Sequence, residues 1–278
     1  MMCRVLSVSR SGFYAWQRRP VSPREQRRAV VGLAVEEAYY GFKKRYGAPR
    51  LTEELNEQGI GCSLNHVARL LRERGLRARN GKGFKYRARI ESKTHVSENL
   101  LARRFDAPAP NGKWVSDITY IKVGRQWLYL AVVLDLFSRK VVGWALASHM
   151  RETLVLEALN MAVSTREVSD QTVVHSDRGV QYRSHEYHQA LRDNGMRCSM
   201  SRKGNCWDNA VMEAFFSRLK VELIYAENYK SVDEARAGIF EYIELFYNRR
   251  RRHSSLNHIS PDEYERRFNA SGVSMIRG

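Results

Sequence analysis

Apolar positions recur at helical spacing through the first third of the chain, and the pattern changes to strand-like runs near Lys113. Residues 24 to 40 have helical composition, broken at Gly41. In PRLTEELNEQGIGCSLNHVARLLRERGL, which begins at Pro49, the apolar positions are Leu51, Leu55, Ile60, Leu64, Val67, Leu70 and Leu71. They predict two helices packed across a tight turn at Gly59 to Gly61, the second capped by Ser63. That is a helix-turn-helix pattern. The opening SRSGFYAWQRRPVSPREQRR mixes aromatics with arginine and reads as a short arm. Residues 77 to 100 are basic, glycine-containing and weakly periodic, as in a linker or an extended segment tracking a polyanion.

Beyond Lys113, KWVSDITYIKV and WLYLAVVLDL are rich in strand-forming residues and separated by Gly124 and Arg125, as in a hairpin; RKVVGWALA supplies a third strand. A helix over 151 to 164, a short strand TVVHSD, a helix SHEYHQALRDNG closed by Gly195, and a strand MRCSMS follow. Residues 207 to 226 and 232 to 248 form two further helices. Three antiparallel strands followed by alternating helix and strand is the order of a ribonuclease-H-like core. The predicted fold is therefore α/β: a five-stranded mixed sheet with helices, preceded by a small helical domain. The expected boundaries are 1–76 for the helix-turn-helix region, 77–105 for a basic linker, 106–226 for the core, and 227–278 for a C-terminal helix and basic tail.

Charge narrows the partner. The formal net charge is +17, and residues 1 to 105 hold 23 Lys/Arg against 9 Glu and no Asp, a balance of +14. The remaining residues hold 24 Lys/Arg against 21 Asp/Glu, only +3. A basic membrane-surface helix would need a broad apolar face beside the charge, which the pattern lacks. Nucleic acid is the better partner. The second helix of the helix-turn-helix would expose Asn65, His66, Arg69 and Arg72, residue types that suit base edges and phosphates. A hairpin with a solvated basic face fits the same pattern. No run approaches the roughly 20 apolar residues of a membrane span, and the start lacks the apolar stretch of a secretory signal. The expected location is the cytoplasm, on the nucleoid. Cys3, Cys62, Cys198 and Cys206 are scattered, without metal-ligand spacing.

Three acidic residues stand out. Asp117 interrupts the first strand, where an uncompensated carboxylate costs desolvation. Asp177 directly follows the fourth strand, a usual place for catalytic groups in α/β sheets. With Glu213 as zero, and about 100° per residue, Lys220 falls near its own direction and Val211, Phe215 and Leu219 fall on the far side. That phase suits a glutamate facing a site and equally one facing solvent. Three carboxylates from separate elements can hold two Mg²⁺ or Mn²⁺ ions, hard cations that prefer oxygen. Such a pair supports in-line displacement at phosphorus by water or by a DNA 3′-hydroxyl.

WVSDITYI, VLDLFSRKVVGW, HSDRGVQY, SRKGNCWDNAVMEAFFSRLKVE and YNRRRRHSSLNHISP, in that order, resemble the second-frame (OrfB) transposases of bacterial insertion sequences, whose core is similar to retroviral integrase. The amino-terminal YGAPRLTEELNEQG and VARLLRERGL resemble the helix-turn-helix segment of the same proteins. The resemblance implies that Asp117, Asp177 and Glu213 are the catalytic, metal-binding triad, with 35 residues between the last two. It implies that Lys220 contacts DNA near the cleaved end; a surface lysine beside Glu222 or Glu227 is the alternative. It also implies DNA partners, namely the terminal inverted repeats and a target, a homo-oligomer on DNA, and an upstream frame as partner or fusion. Asp208 is placed to cap the Glu213 helix, Asp135 is expected to be structural, and Arg249, Arg250, Arg251 and Arg252 form a run able to bind phosphates. Two other readings stay open at this stage: a nuclease that hydrolyses without joining, and a DNA-binding regulator with an inactive core.

Overall fold

The structure, a computed structural model, describes residues 2–79, 97–202 and 206–276. The described residues divide into two compact units between Arg79 and Asn80. Most of the expected linker, residues 80–96, lies outside the described residues.

The first unit is helical: α1 (Met2–Val5), α2 (Arg10–Gln17), α3 (Pro23–Gly41), α4 (Ala48–Glu57) and α5 (Leu64–Glu73). Ser22 and Glu25 close a capping box at the start of α3, with Pro23 in the first turn where its missing N–H is harmless. Val31, Val35 and Tyr39 of α3 are buried, as are Leu51 and Leu55 of α4 and Val67, Leu70 and Leu71 of α5, and α3 packs on both later helices. Gly59, at φ +81°, ends α4, and Ile60 N–H then reaches back to the Leu55 carbonyl at 2.8 Å. This is a left-handed cap that glycine adopts without strain. Ser63 accepts from His66 N–H at 3.3 Å and starts α5. The expected helix-turn-helix is present. The arm is helical in α2, with no buried residue.

The second unit carries the sheet, β1 (Lys113–Val123), β2 (Gln126–Asp135), β3 (Val141–Ala147), β4 (Val173–Ser176) and β5 (Arg197–Met200), in the order β3-β2-β1-β4-β5. β1, β2 and β3 run antiparallel, while β4 pairs parallel with β1 and β5 parallel with β4. The hairpin register, Val123 opposite Gln126, leaves Gly124 and Arg125 as the turn. α6 (Glu152–Thr165) and α7 (His185–Asp193) cover one face. Its core joins Trp114, Ile118, Ala131 and Val133 to Leu154, Val155, Ala158 and Leu159. At Gly143 in β3 an added Cβ would sit 2.1 Å from the Ala158 carbonyl, so α6 can approach only over glycine.

α8 (Ala210–Leu219) packs against β1 and runs into a wider turn over Lys220–Ile224, closed by Tyr225 N–H to the Lys220 carbonyl at 2.8 Å. α9 (Val232–Phe240) continues likewise over Glu241–Tyr247. Such i→i−5 turns insert one residue into a helix. The expected C-terminal tail is instead a helix, α10 (Pro261–Ile276). It is docked by Tyr264 and Phe268 on Phe137 and by Glu265 on Arg166 at 2.8 Å. The described end of the expected linker is also docked: Leu101 is buried, and Leu100 N–H donates to Ser199 of β5 at 2.9 Å.

The arginine run divides, which corrects one expectation. Arg249 and Arg250 are exposed. Arg251 is buried against Glu222, Nη2 to Oε1 at 2.6 Å and Nε to Oε2 at 2.9 Å, and Glu222 also accepts from the Tyr242 hydroxyl at 2.9 Å. Arg252 is buried too, donating to the His258 carbonyl at 2.9 Å. These two guanidiniums hold the packing of the last helices and do not present themselves to phosphate. Removing one member strands a buried charge. Glu222→Ala and Arg251→Ala should each lose about 3–5 kcal/mol of unfolding free energy in urea titrations, whereas Arg249→Ala should leave the midpoint where it is.

Candidate active site

The parallel pairing of β1 with β4 builds the centre of the site. Its last register pair is Ser116 with Ser176, so Asp117, within β1, and Asp177, directly after β4, each come one residue later. Neighbouring strands lie about 5 Å apart, so the two residues leave the paired stretch close together at the end of β4. Asp117 is half-buried and accepts from Ile118 N–H at 2.8 Å. Asp177 is half-buried and accepts from Gly179 N–H at 2.8 Å. Behind them lies Tyr182, whose hydroxyl is within hydrogen-bond distance of Ser116 Oγ, 3.0 Å. Burial raises the Tyr182 phenol well above its ordinary range, and the charges of Asp117 and Asp177 add to the effect.

Glu213 lies in the first turn of α8, the helix packed on β1. Its phase meets the expectation only in part: the buried face is Met212, Phe215, Phe216, Leu219 and Lys220, and Glu213 lies half-buried at its border. Desolvation pushes its carboxyl above the usual range, a cost that a bound cation would offset. Among the described residues, no three His, Cys, Asp or Glu side chains converge closely enough to hold a metal. The structure thus brings Asp117 and Asp177 together and sets Glu213 on the adjoining helix without closing the group. As donors the three offer only carboxylate oxygens, the chemistry that fits a hard divalent cation.

Lys220 is not the surface lysine that helix phase allowed. It is 5% exposed, its ammonium lies 4.9 Å from the centre of the Tyr120 ring, and it is within electrostatic reach of Asp117. Burial lowers its pKa and Asp117 opposes that shift. Glu222, its imagined neighbour, is committed to Arg251.

Asp208 also departs from expectation. α8 has Asn209 at its N-cap position, with no side-chain cap. The buried Asp208 carboxylate instead accepts from the Arg202 guanidinium at 2.9 and 3.0 Å, from Arg202 N–H at 2.9 Å, from Arg103 at 3.0 Å and from Asn99 at 2.9 Å. It ties the segment before α8 to the chain on either side of the sheet, which positions the helix carrying Glu213. Asp135 is structural as expected: fully buried, it accepts from Asn111 N–H at 2.7 Å and Phe137 N–H at 2.8 Å.

In the first unit, Asn65, Arg69 and Arg72 are exposed on α5 and His66 is partly exposed. Desolvation and the nearby Arg69 and Arg28 lower the His66 pKa, so this face gathers positive charge. Arg69 also lies 4.0 Å from Glu73, which Arg28 holds at 2.6 Å.

A mixed sheet in the order β3-β2-β1-β4-β5 with paired aspartates at adjacent strand ends defines an integrase-type, ribonuclease-H-like core of the polynucleotidyl transferase class. Two family models described as "Integrase core domain" match residues 107–206 and 194–261, and an "HTH-like domain" matches 25–83. The chain is 47% identical over 269 residues to the transposase InsF for insertion sequence IS3A of Escherichia coli (strain K12), spanning 95% of this chain and 92% of that one. It is 39% identical over 267 residues to the insertion element IS600 uncharacterized 31 kDa protein of Shigella sonnei, spanning 96% and 98%. Among solved structures, the simian T-cell lymphotropic virus intasome matches at 20% identity and TM-score 0.43, over 77% of this chain and 69% of that one. The HTLV-2 integrase catalytic core, solved in complex with magnesium, matches at 18% and 0.39, over 50% and 90%. The chain belongs to the insertion-sequence transposases, enzymes of DNA transposition, recombination and integration.

The Asp208 cluster makes a pH-dependent prediction. Arg202 and its other donors hold the Asp208 carboxyl well below the usual carboxylate range. A depressed folded-state pKa contributes stability that is present above the unfolded value, about 4, and lost as pH falls toward the folded one. Asp208→Asn should therefore lower the urea midpoint at pH 7, with the deficit narrowing as the pH drops below about 4. A deficit that stays constant down to pH 2 would reject the ionic origin.

Proposed function

We propose that Asp117, Asp177 and Glu213 hold two Mg²⁺ ions, or Mn²⁺ in their place, and that the enzyme cuts at the terminal inverted repeats of its element and joins the freed 3′-hydroxyl to target DNA. The observation that carries this reading is that Asp117 and Asp177 each directly follow the last β1–β4 register pair, Ser116 with Ser176, with the desolvated Glu213 on the helix packed against β1. Bound divalent ions supply Lewis-acid stabilisation of the attacking and leaving oxygens. The chain's own residues do the rest. Asp117 and Asp177, each braced by a backbone N–H, present oxygens from rigid strand ends. Lys220, set against Tyr120 beside Asp117, offers a cation to the phosphate of the DNA end. Asn65, His66, Arg69 and Arg72 of α5, with the exposed Arg249 and Arg250, contact DNA. The working form is a homo-oligomer on DNA in the cytoplasm, at the nucleoid, with an upstream-frame protein as partner or fusion.

Asp117→Asn, Asp177→Asn and Glu213→Gln should each abolish Mg²⁺-dependent cleavage of an end-bearing duplex while leaving its binding in gel-shift assays largely intact. An active Glu213→Gln enzyme would assign the third ligand elsewhere. With a pre-cleaved 3′-end, the wild type should give joined product; hydrolysis alone would favour a nuclease, and no metal-dependent cleavage at all would favour a regulator.

Arg69→Ala and Arg72→Ala should weaken DNA binding and each reduce the slope of log affinity against log salt by about 1, the signature of one lost phosphate contact. An unchanged slope would remove that arginine from the interface.

A further inference from the structure

We infer that the hydrogen bond between Ser116 and Tyr182 is the staple that sets the spacing of Asp117 and Asp177, making Tyr182 a positioning residue for the divalent ions; this rests on the metal-binding reading above. Each aspartate is anchored in its own segment, Asp117 in β1 and Asp177 in the turn that follows β4. The backbone pairing of the two strands ends at Ser116 and Ser176, one residue short of both carboxylates. Beyond that pair, the sheet ladder no longer governs their separation. The turn after Asp177 folds back through a short helix, Val180–Arg183, and delivers Tyr182 to Ser116, the residue immediately before Asp117, at 3.0 Å. Side chains alternate across a strand, so the staple grips β1 from the face opposite the Asp117 position.

The surroundings allow it little play. Tyr182 is 1% exposed, and its ring meets Tyr187 edge to face with centroids 5.3 Å apart. Gln181, next to it, donates to the Met150 carbonyl at 2.8 Å and so anchors the turn to the segment before α6. At Gly179 a Cβ would come 2.9 Å from Asp177 Oδ1 and 3.5 Å from the Tyr182 ring, so carboxylate, turn and tyrosine are closely packed. Tyr187 supplies an internal control. It is equally buried and touches the same ring, but its hydroxyl has no hydrogen-bond partner among the described residues.

The test is Mn²⁺ titration of the full chain by calorimetry, with urea midpoints measured in EDTA. Tyr182→Phe and Ser116→Ala should each raise the Mn²⁺ dissociation constant about threefold to tenfold, the range of one hydrogen bond. The double variant should raise it no further than either single change. In cleavage assays the half-saturating Mn²⁺ concentration of Tyr182→Phe should rise by the same factor, with the rate at saturating Mn²⁺ close to wild type. Tyr187→Phe should leave Mn²⁺ binding unchanged. The inference is overturned by wild-type affinity in Tyr182→Phe, by an equal loss in Tyr187→Phe, or by additive losses in the double variant. Asp117→Asn in the same titration separates the two claims: if it binds Mn²⁺ like the wild type, the metal reading itself falls and the staple with it; if it fails to bind while Tyr182→Phe binds normally, only the staple falls.

Discussion

Parallel pairing between β1 and β4 is the constraint on which the site depends. A parallel ladder needs a crossover, here β2, β3 and α6, so two residues sixty apart in sequence become neighbours only when the whole sheet has formed. The pairing stops at Ser116 and Ser176; Asp117 continues in register with Val132 of β2, while the chain after Ser176 turns away through Gly179. The glycine at 143, over which α6 passes, belongs to the same constraint, because the crossover helix must lie close to the sheet for β4 to reach β1.

The electrostatics follow from that geometry. Two nearby carboxylates repel, and each accepts a backbone N–H in its own segment. Elsewhere the second unit treats buried acids differently: Glu222 has Arg251, Asp208 has Arg202 and Arg103, and Glu265 has Arg166. Those are matched pairs with bidentate or multiple donors, the arrangement that lets a charge be buried stably. Burial alone shifts the Glu213 carboxyl upward, whereas the upward shift of buried Asp135 is opposed by Arg166 and by two backbone N–H donors.

Much of this was legible in the sequence because it is local. Strand alternation, the Gly124 and Arg125 hairpin, the Ser63 cap and the Gly59 stop all act over a few residues, and all appear where expected. The ordered motifs carried the family. What the sequence could not reveal were partners distant along the chain. Arg251 looks like Arg249 and Arg250 until Glu222, 29 residues away, is seen to hold it. Asp208 has the spacing of a helix cap, but Asn99 and Arg103, over 100 residues earlier, claim its oxygens. The buried seat of Lys220 left no hydropathy signal, because an ammonium reads as solvent-facing while its stem packs inside and Tyr120 lies beside it. The Tyr182 hydroxyl left no signal at all: an aromatic after a turn reads as packing, and only the structure supplies Ser116.

The charge distribution then separates two tasks. With +14 in the first 105 residues and +3 in the rest, most of the excess positive charge precedes the carboxylates in the sequence. A uniformly and strongly positive surface would hold DNA wherever it landed. Arg69 and Arg72 are exposed on α5 in one unit, while Asp117 and Asp177 stand beside the β1–β4 pairing of the other.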